Sequence, residues 1–152
     1  MKAALIRATG KPDVIQWDDV ATPAVGKGQV LVRTEAVTVN PIDTYIRAGI
    51  VKAELPNPFI VGCDIAGVVE AVGPNVEQFS VGDRVWGSNQ GQFGRQGTFA
   101  EWCAIDEQWL YPTPAGVSSE SAAAGSLVGI TAHLGLFLHG GLKAGEVVFV
   151  NG

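Results

Sequence analysis

The stretch VGCDIAGVVEAVG, residues 61–73, sets the fold class of this chain. Its second half, residues 67–72, is typical of a short strand, and Gly73-Pro74 ends that strand in a turn. Comparable strands are predicted on both sides of it, at residues 2–7, 14–20, 29–39, 84–86 and 98–105. Short strands at this spacing predict a mainly β fold, a closed or nearly closed barrel, because closure leaves few exposed sheet edges.

Two helices and a final strand complete the predicted elements. Residues 40–49 carry a capping residue, a proline at the first helical position and a terminal glycine, so both ends of a short helix are marked. A second helix is predicted to begin near Ser118 or Ser119 and to continue, with a break or two, to about His139. The apolar run 147–150 is typical of a strand buried on both faces of a parallel sheet.

Composition and charge narrow the class of protein. The chain has 152 residues, of which 47% are hydrophobic and 16% charged, as in a globular domain with a substantial core. Its net charge of −5 argues against nucleic acid or an anionic membrane as a partner, since either requires a clustered basic surface. Two cysteines do not make a disulfide framework, and the amino terminus lacks a signal-peptide pattern, so we expect a cytoplasmic location.

One uncharged stretch resembles a membrane helix superficially. Residues 121–142 contain no Asp, Glu, Lys or Arg, and Gly125 and Gly129 have the GxxxG spacing. Five glycines, two histidines and several hydroxyl side chains make this stretch only modestly hydrophobic. We therefore expect a helix buried between two domains and no membrane partner.

Several motifs, in this order and spacing, carry a family resemblance. They are VNPIDTYIRAG at 39–49, VGCDIAGVVEAVG at 61–73, FSVGDRVWG at 79–87, GTFAE at 97–101, GITA at 129–132 and LKAGE at 142–146. The set resembles the medium-chain dehydrogenase/reductase superfamily, and within it the zinc-independent quinone oxidoreductase, or zeta-crystallin-like, branch. The match runs over essentially the whole chain.

The resemblance implies a two-part architecture. Residues 1–117 would form a GroES-like barrel with short helices, the substrate-side domain. Residues 118–152 would supply the linking helix and first strand of a truncated Rossmann domain, whose glycine-rich phosphate loop would open at Asn151-Gly152. Most of the binding site for NADPH or NADH would then lie beyond residue 152. The full-length protein would be a homodimer that reduces quinones or enones, and the fragment alone is expected to be inactive.

Zinc-independence rests on the number of available ligands. Zinc-dependent members of the superfamily place a ligand near the position of Asn40 and another in a Gly-His-Glu motif, where this chain has Gly62-Cys63-Asp64. Catalytic zinc needs about three protein ligands and an open position, and one displaced thiol does not supply them. Cys63 has two interpretations, a small buried residue or a reactive thiol.

The resemblance also selects candidate site residues. Tyr45 and Asn40 are the catalytic candidates, and Asn40, Asp43 and Thr131 are the candidates for cofactor binding. Each has a structural alternative: Tyr45 packs, Asn40 caps the helix, Asp43 faces the helix dipole and Thr131 bonds back to a helical carbonyl. Asp64 is interpreted as a turn residue that secures backbone amides.

Two other functions stay open at this point. One is an enoyl-thioester reductase of the same superfamily, and the other is a stand-alone GroES-like binding module. The module would leave an uncharged helix and the run 147–150 uncovered, an aggregation hazard. The gene sequence past Gly152 distinguishes these cases, because a glycine-rich loop is expected to follow at once.

Overall fold

Eight short strands form the barrel in a computed structural model, which describes residues 1–52 and 54–151. The strands are β1 Lys2–Ile6, β2 Gln16–Asp19, β3 Gln29–Ala36, β4 Phe59–Ile60, β5 Ile65–Val72, β6 Arg84–Gly87, β7 Trp102–Asp106 and β8 Leu110–Pro112. They make a three-stranded sheet in the order β2-β1-β4 and a five-stranded sheet in the order β7-β3-β5-β6-β8. All pairings within them are antiparallel, and an isolated bridge pairs Ala3 of β1 with Ala100, two residues before β7. The predicted mainly β barrel is confirmed.

Alternation of side chains along β3 places the core. Val30 and Val32 are fully buried, whereas Arg33 and Glu35 face solvent, as a period of two requires when one face of a sheet is covered. The main core lies between the two sheets and is made of apolar side chains contributed by both. The sheets therefore hold the loops at their ends in fixed positions.

Helix α1, Pro41–Ala48, follows β3 and has the ends that the sequence predicts. Asn40 is the N-cap with extended backbone, Pro41 is the first helical residue, and Gly49 ends the helix with a left-handed φ of 76°. One face of α1 is buried through Asp43 and Ile46. The carboxyl group of Asp43 thus points into the protein.

Helix α2, Ser119–His133, contacts the barrel over its first half only. Ser118 caps it by accepting a hydrogen bond from the Ser121 N–H at 3.2 Å, and Ala122 and Ala123 pack on Ala66 of β5. A π-helical stretch, Leu134–His139, continues the helix. By length and composition alone, the helical run Ser119–His139 could cross a membrane. Helices buried inside a protein meet the same two criteria.

Several predicted strands differ from the structure. The strand predicted at 29–39 ends at Ala36, β5 starts at Ile65 although the strand was expected from residue 67, and β4 and β8 were not predicted. Residues 12–14 form a 3-10 turn, so β2 starts at Gln16, and β7 starts at Trp102 although the strand was expected from residue 98. Residues 147–150 form no strand: Val147, Phe149 and Val150 are 98%, 89% and 78% exposed. A strand needs a hydrogen-bonded neighbour, and the described residues offer this segment none. Of Asn151-Gly152, where the phosphate loop was predicted to open, Gly152 lies outside the described residues.

Close contact between β3 and β5 gives a stability test. A Cβ at Gly67 would overlap the backbone carbonyl oxygen of Arg33, whereas a Cβ at Gly125 of α2 would meet nothing within 4 Å. Gly67→Ala is expected to lower the free energy of unfolding by about 1–3 kcal/mol through overpacking. Gly125→Ala, the control, is expected to raise it by up to about 1 kcal/mol because alanine favours helix. Urea denaturation measures both, and equal effects would contradict the close packing of β3 and β5.

Candidate functional site

Asp64 lies at the centre of a polar cluster where the barrel meets α2. Its side chain, in the turn between β4 and β5, is 1% exposed. Oδ2 accepts hydrogen bonds from Thr38 Oγ1 at 2.9 Å, from Asn40 Nδ2 at 2.8 Å and from the Leu127 N–H at 3.3 Å. One carboxylate oxygen therefore joins the end of β3, the start of α1 and the middle of α2.

Backbone geometry fixes the turn that carries Asp64. Gly62 has a φ of 105°, which favours glycine, and a Cβ there would overlap the ring of Phe99. Thr98 is fully buried and its Oγ1 donates to the Asp64 carbonyl oxygen at 2.8 Å. The position of the Asp64 carboxylate is thus fixed in two ways, by the backbone of its turn and by the donors that bind its Oδ2.

The carboxylates of Asp43 and Asp64 differ in their hydrogen-bond partners. Asp43 Oδ2 accepts from the Asn40 N–H at 2.7 Å, a bond that closes the first turn of α1. Asp64 Oδ1 is buried and has no hydrogen-bond partner among the residues that the structure describes. An unpaired buried oxygen of this kind costs about 1–3 kcal/mol, so the site keeps an acceptor at the expense of stability.

Burial changes the acidity of Asp43. Desolvation raises the pKa of its carboxyl from the usual 3.8 to about 6, against the hydrogen bond from Asn40, which lowers it. The negative charge of nearby Asp64 adds to the rise. Asp43 therefore titrates close to neutral pH, inside the cluster.

Cys63 is a buried neighbour of the cluster with a weakly acidic thiol. Its Sγ lies 3.5 Å from Ser88 Oγ, and burial raises its pKa above the usual 9.0 in spite of that hydrogen bond. Thiolate is the nucleophilic form, so this environment favours the interpretation of Cys63 as a packed residue. Cys103 is also buried, with a pKa raised to about 11.

The structure brings together only some of the candidate residues. Asn40, which is 5% exposed, and Asp43 belong to the cluster around Asp64. Tyr45 lies on the solvent side of α1 and is 47% exposed. Thr131 is exposed on α2, one turn after Leu127. No hydrogen bond in the described part of the chain links either hydroxyl to the cluster.

Two members of the cluster were not predicted from the sequence. Thr38 donates to Asp64 and also to the Ala123 carbonyl oxygen at 3.3 Å, and the Leu127 N–H comes from the backbone of an apolar helix. Neither has a local signature, because both contacts join distant parts of the chain. Asp64 was predicted to bind backbone amides, and it accepts one from Leu127 besides two side-chain donors.

A family comparison identifies the barrel. Residues 26–115 match the model of the alcohol dehydrogenase GroES-like domain, which is more than half of the chain. The chain belongs to this family. The matched region contains α1, Thr38 and Asp64, whereas the Leu127 N–H of the cluster comes from α2, outside it.

Individual relatives place it near quinone oxidoreductases. It is 35% identical to the Homo sapiens quinone oxidoreductase over 153 aligned residues, 100% of this chain and 45% of the relative. The quinone oxidoreductase of Pseudomonas syringae superimposes with a TM-score of 0.86 at 36% identity, over 95% of this chain and 43% of that one. The Escherichia coli quinone oxidoreductase complexed with NADPH gives 0.82 at 29% identity, over 90% and 40%. The predicted resemblance is confirmed, and the chain spans less than half the length of these relatives.

Asp43 generates a test of pH dependence. Its raised pKa means that between about pH 4 and pH 6 the folded chain holds a proton that the unfolded chain has released, so stability falls as pH rises through this range. Asp43→Asn keeps an acceptor for the Asn40 N–H but does not ionise. Its free energy of unfolding relative to wild type should therefore rise by roughly 2 kcal/mol from pH 4 to pH 7.

Urea denaturation across this pH range measures the difference. The control is Asp13→Asn at an exposed carboxylate of the 3-10 turn, which removes the same charge outside the cluster. Parallel pH profiles for wild type and Asp43→Asn would show that Asp43 is not buried as described.

Proposed function

We propose that this chain is the substrate-side part of a zinc-independent, NAD(P)H-dependent oxidoreductase that transfers hydride to quinones or conjugated carbonyls. The observation that carries the proposal is the cluster of Asn40, Asp43 and Asp64 beside α2, on a domain whose relatives include an NADPH-complexed quinone oxidoreductase. Because the chain covers less than half of those relatives, the activity belongs to the whole gene product.

The donors and acceptors at the cluster fit an amide-bearing ring. Nicotinamide, when bound, supplies the hydride, and the protein has to orient it and exclude water. The Asn40 amide, the Asp43 carboxyl and the Thr131 hydroxyl are the groups proposed to hold it. The buried, unpaired Oδ1 of Asp64 supports this assignment, because a buried acceptor without a partner is uncommon outside functional sites.

Tyr45 is the group proposed to act on the substrate. Its exposed phenol offers an apolar wall for a planar acceptor and one hydroxyl that can donate to the oxygen being reduced. NADPH and NADH both satisfy this proposal. A conjugated carbonyl and a quinone present the same oxygen acceptor at the end of a planar system.

Zinc-independence is supported by the way the cluster is built. Among residues 1–52 and 54–151, no three His, Cys, Asp or Glu side chains converge as a metal site would require. At the two family ligand positions, the Asn40 amide is bonded to Asp64, and Cys63 is a buried thiol of raised pKa. Both arrangements support the proposal that the chemistry does not use zinc.

The exposed apolar surface supports a second domain. Val128, Phe137, Leu138 and the segment 147–150 are largely exposed, which is a hazard for a stand-alone binding module. A Rossmann domain continuing from residues 118–152 would cover them and give 147–150 the neighbouring strands it lacks. A cytoplasmic homodimer without membrane or nucleic-acid partners completes the proposal.

The intact gene product tests the proposal. It is expected to bind NADPH or NADH, to reduce 1,4-benzoquinone with it, and to keep this activity after dialysis against a metal chelator. Fluorescence titration and nicotinamide absorbance at 340 nm are the measurements. Absence of cofactor binding would contradict the proposed function, and loss of activity to the chelator would contradict zinc-independence.

Tyr45→Phe tests the role of the phenol. Loss of a hydrogen bond or proton donor in the transition state should lower kcat by about 10²-fold or more while cofactor affinity stays the same. Tyr111→Phe is a matched control, since Tyr111 is also 47% exposed but lies in β8, where it stacks on Trp86. Equal rates for the two variants would remove Tyr45 from the proposed chemistry.

A further inference from the structure

Asp64 contacts both elements that carry the proposed nicotinamide contacts. Its Oδ2 is 2.8 Å from Asn40 Nδ2 at the start of α1 and 3.3 Å from the Leu127 N–H of α2. Leu127 precedes Thr131 by one helical turn, so both lie on the same side of α2. We propose that Asp64 is a positioning residue, which fixes the Asn40 amide and the Thr131 turn of α2 relative to each other.

The direction of the Asn40 amide follows from the chemistry of its partner. A carboxylate only accepts hydrogen bonds, so Asn40 must direct its NH₂ group toward Asp64. Any other rotation would place the amide oxygen against a buried anion. Asp64 thereby selects one of the two orientations of an amide whose oxygen and nitrogen differ little in shape.

Asp64 and Thr38 also form specific hydrogen bonds with the backbone of α2. Thr38 bridges Asp64 Oδ2 and the Ala123 carbonyl oxygen, and Leu127, four residues later, donates its N–H to the same Oδ2. In a regular helix the Leu127 N–H donates to the Ala123 carbonyl oxygen, four residues earlier. The carboxylate and the Thr38 hydroxyl therefore engage one helical turn at both ends, beyond the alanine contacts that pack α2 on the barrel.

Stability alone does not account for a carboxylate here. Its Oδ1 is buried without a partner among the described residues, which opposes folding, and its charge raises the pKa of the neighbouring Asp43 carboxyl. An apolar side chain would have neither the unpaired oxygen nor the charge. What Asp64 adds is the alignment of three segments by a single acceptor.

The variants separate positioning from stability. Asp64→Ala removes the acceptor, and Asp64→Asn keeps one oxygen in nearly the same shape. Ser126→Ala is the matched control: Ser126 is fully buried in α2 next to Leu127, but its Oγ donates to the Ala122 carbonyl oxygen at 2.9 Å. All are made in the intact gene product, because this proposal rests on the proposed function.

Cofactor affinity and hydrogen exchange are the two readouts. Asp64→Ala should weaken NADPH binding about tenfold and speed exchange in the 124–133 segment by a similar factor, with Asp64→Asn between it and wild type. Ser126→Ala should lower the melting temperature without changing the NADPH affinity. In an Asn40→Ala background, Asp64→Ala should cost less than about threefold in affinity, because coupled residues are not additive.

Several results would overturn the proposal. Unchanged affinity and exchange in Asp64→Ala would do so, as would an equal affinity loss in Ser126→Ala or full additivity with Asn40→Ala. A wild-type gene product that binds neither NADPH nor NADH overturns the proposed function and this role together. Wild-type binding with an unaffected Asp64→Ala variant overturns this role alone.

Discussion

One buried carboxylate oxygen, Oδ2 of Asp64, holds together the parts of the molecule that the site depends on. Three donors from the end of β3, from the N-cap of α1 and from the backbone of α2 converge on it. The barrel gives this oxygen its fixed place, since Gly62 makes the preceding turn and Thr98 binds the Asp64 carbonyl. Without this acceptor, α2 would lose the bond to the Leu127 N–H, and its contact with the barrel would rest on small alanine side chains and on hydrogen bonds such as the one from Ser119 Oγ to Glu35.

Sequence signals predicted a helix or strand well where residues within that same element determine its ends. Asn40, Pro41 and Gly49 mark both ends of α1, as predicted. The spacing of the strands predicted a barrel, and the resemblance, now confirmed by the family match, identified that barrel as GroES-like. Here the sequence was informative because each residue acts within its own element.

Prediction failed where the cause is non-local. The hydrogen bonds of Asp64 join residues 24, 26 and 63 positions apart, so neither Thr38 nor the Leu127 N–H had a signature. Residues 147–150 have the composition of a buried strand but no neighbour among the described residues to pair with. Composition predicts a tendency, whereas a strand or a polar cluster exists only when its partner is present. Asp43 likewise titrates near pH 6 because of what covers it.

A crystal structure of the intact gene product with bound NADPH tests the account most directly. The account predicts that the nicotinamide ring lies within about 4 Å of Asn40 and Thr131, with Asp64 still bonded to the Asn40 amide. A nicotinamide bound away from α1 and α2, or an Asn40 amide turned away from Asp64, would contradict it.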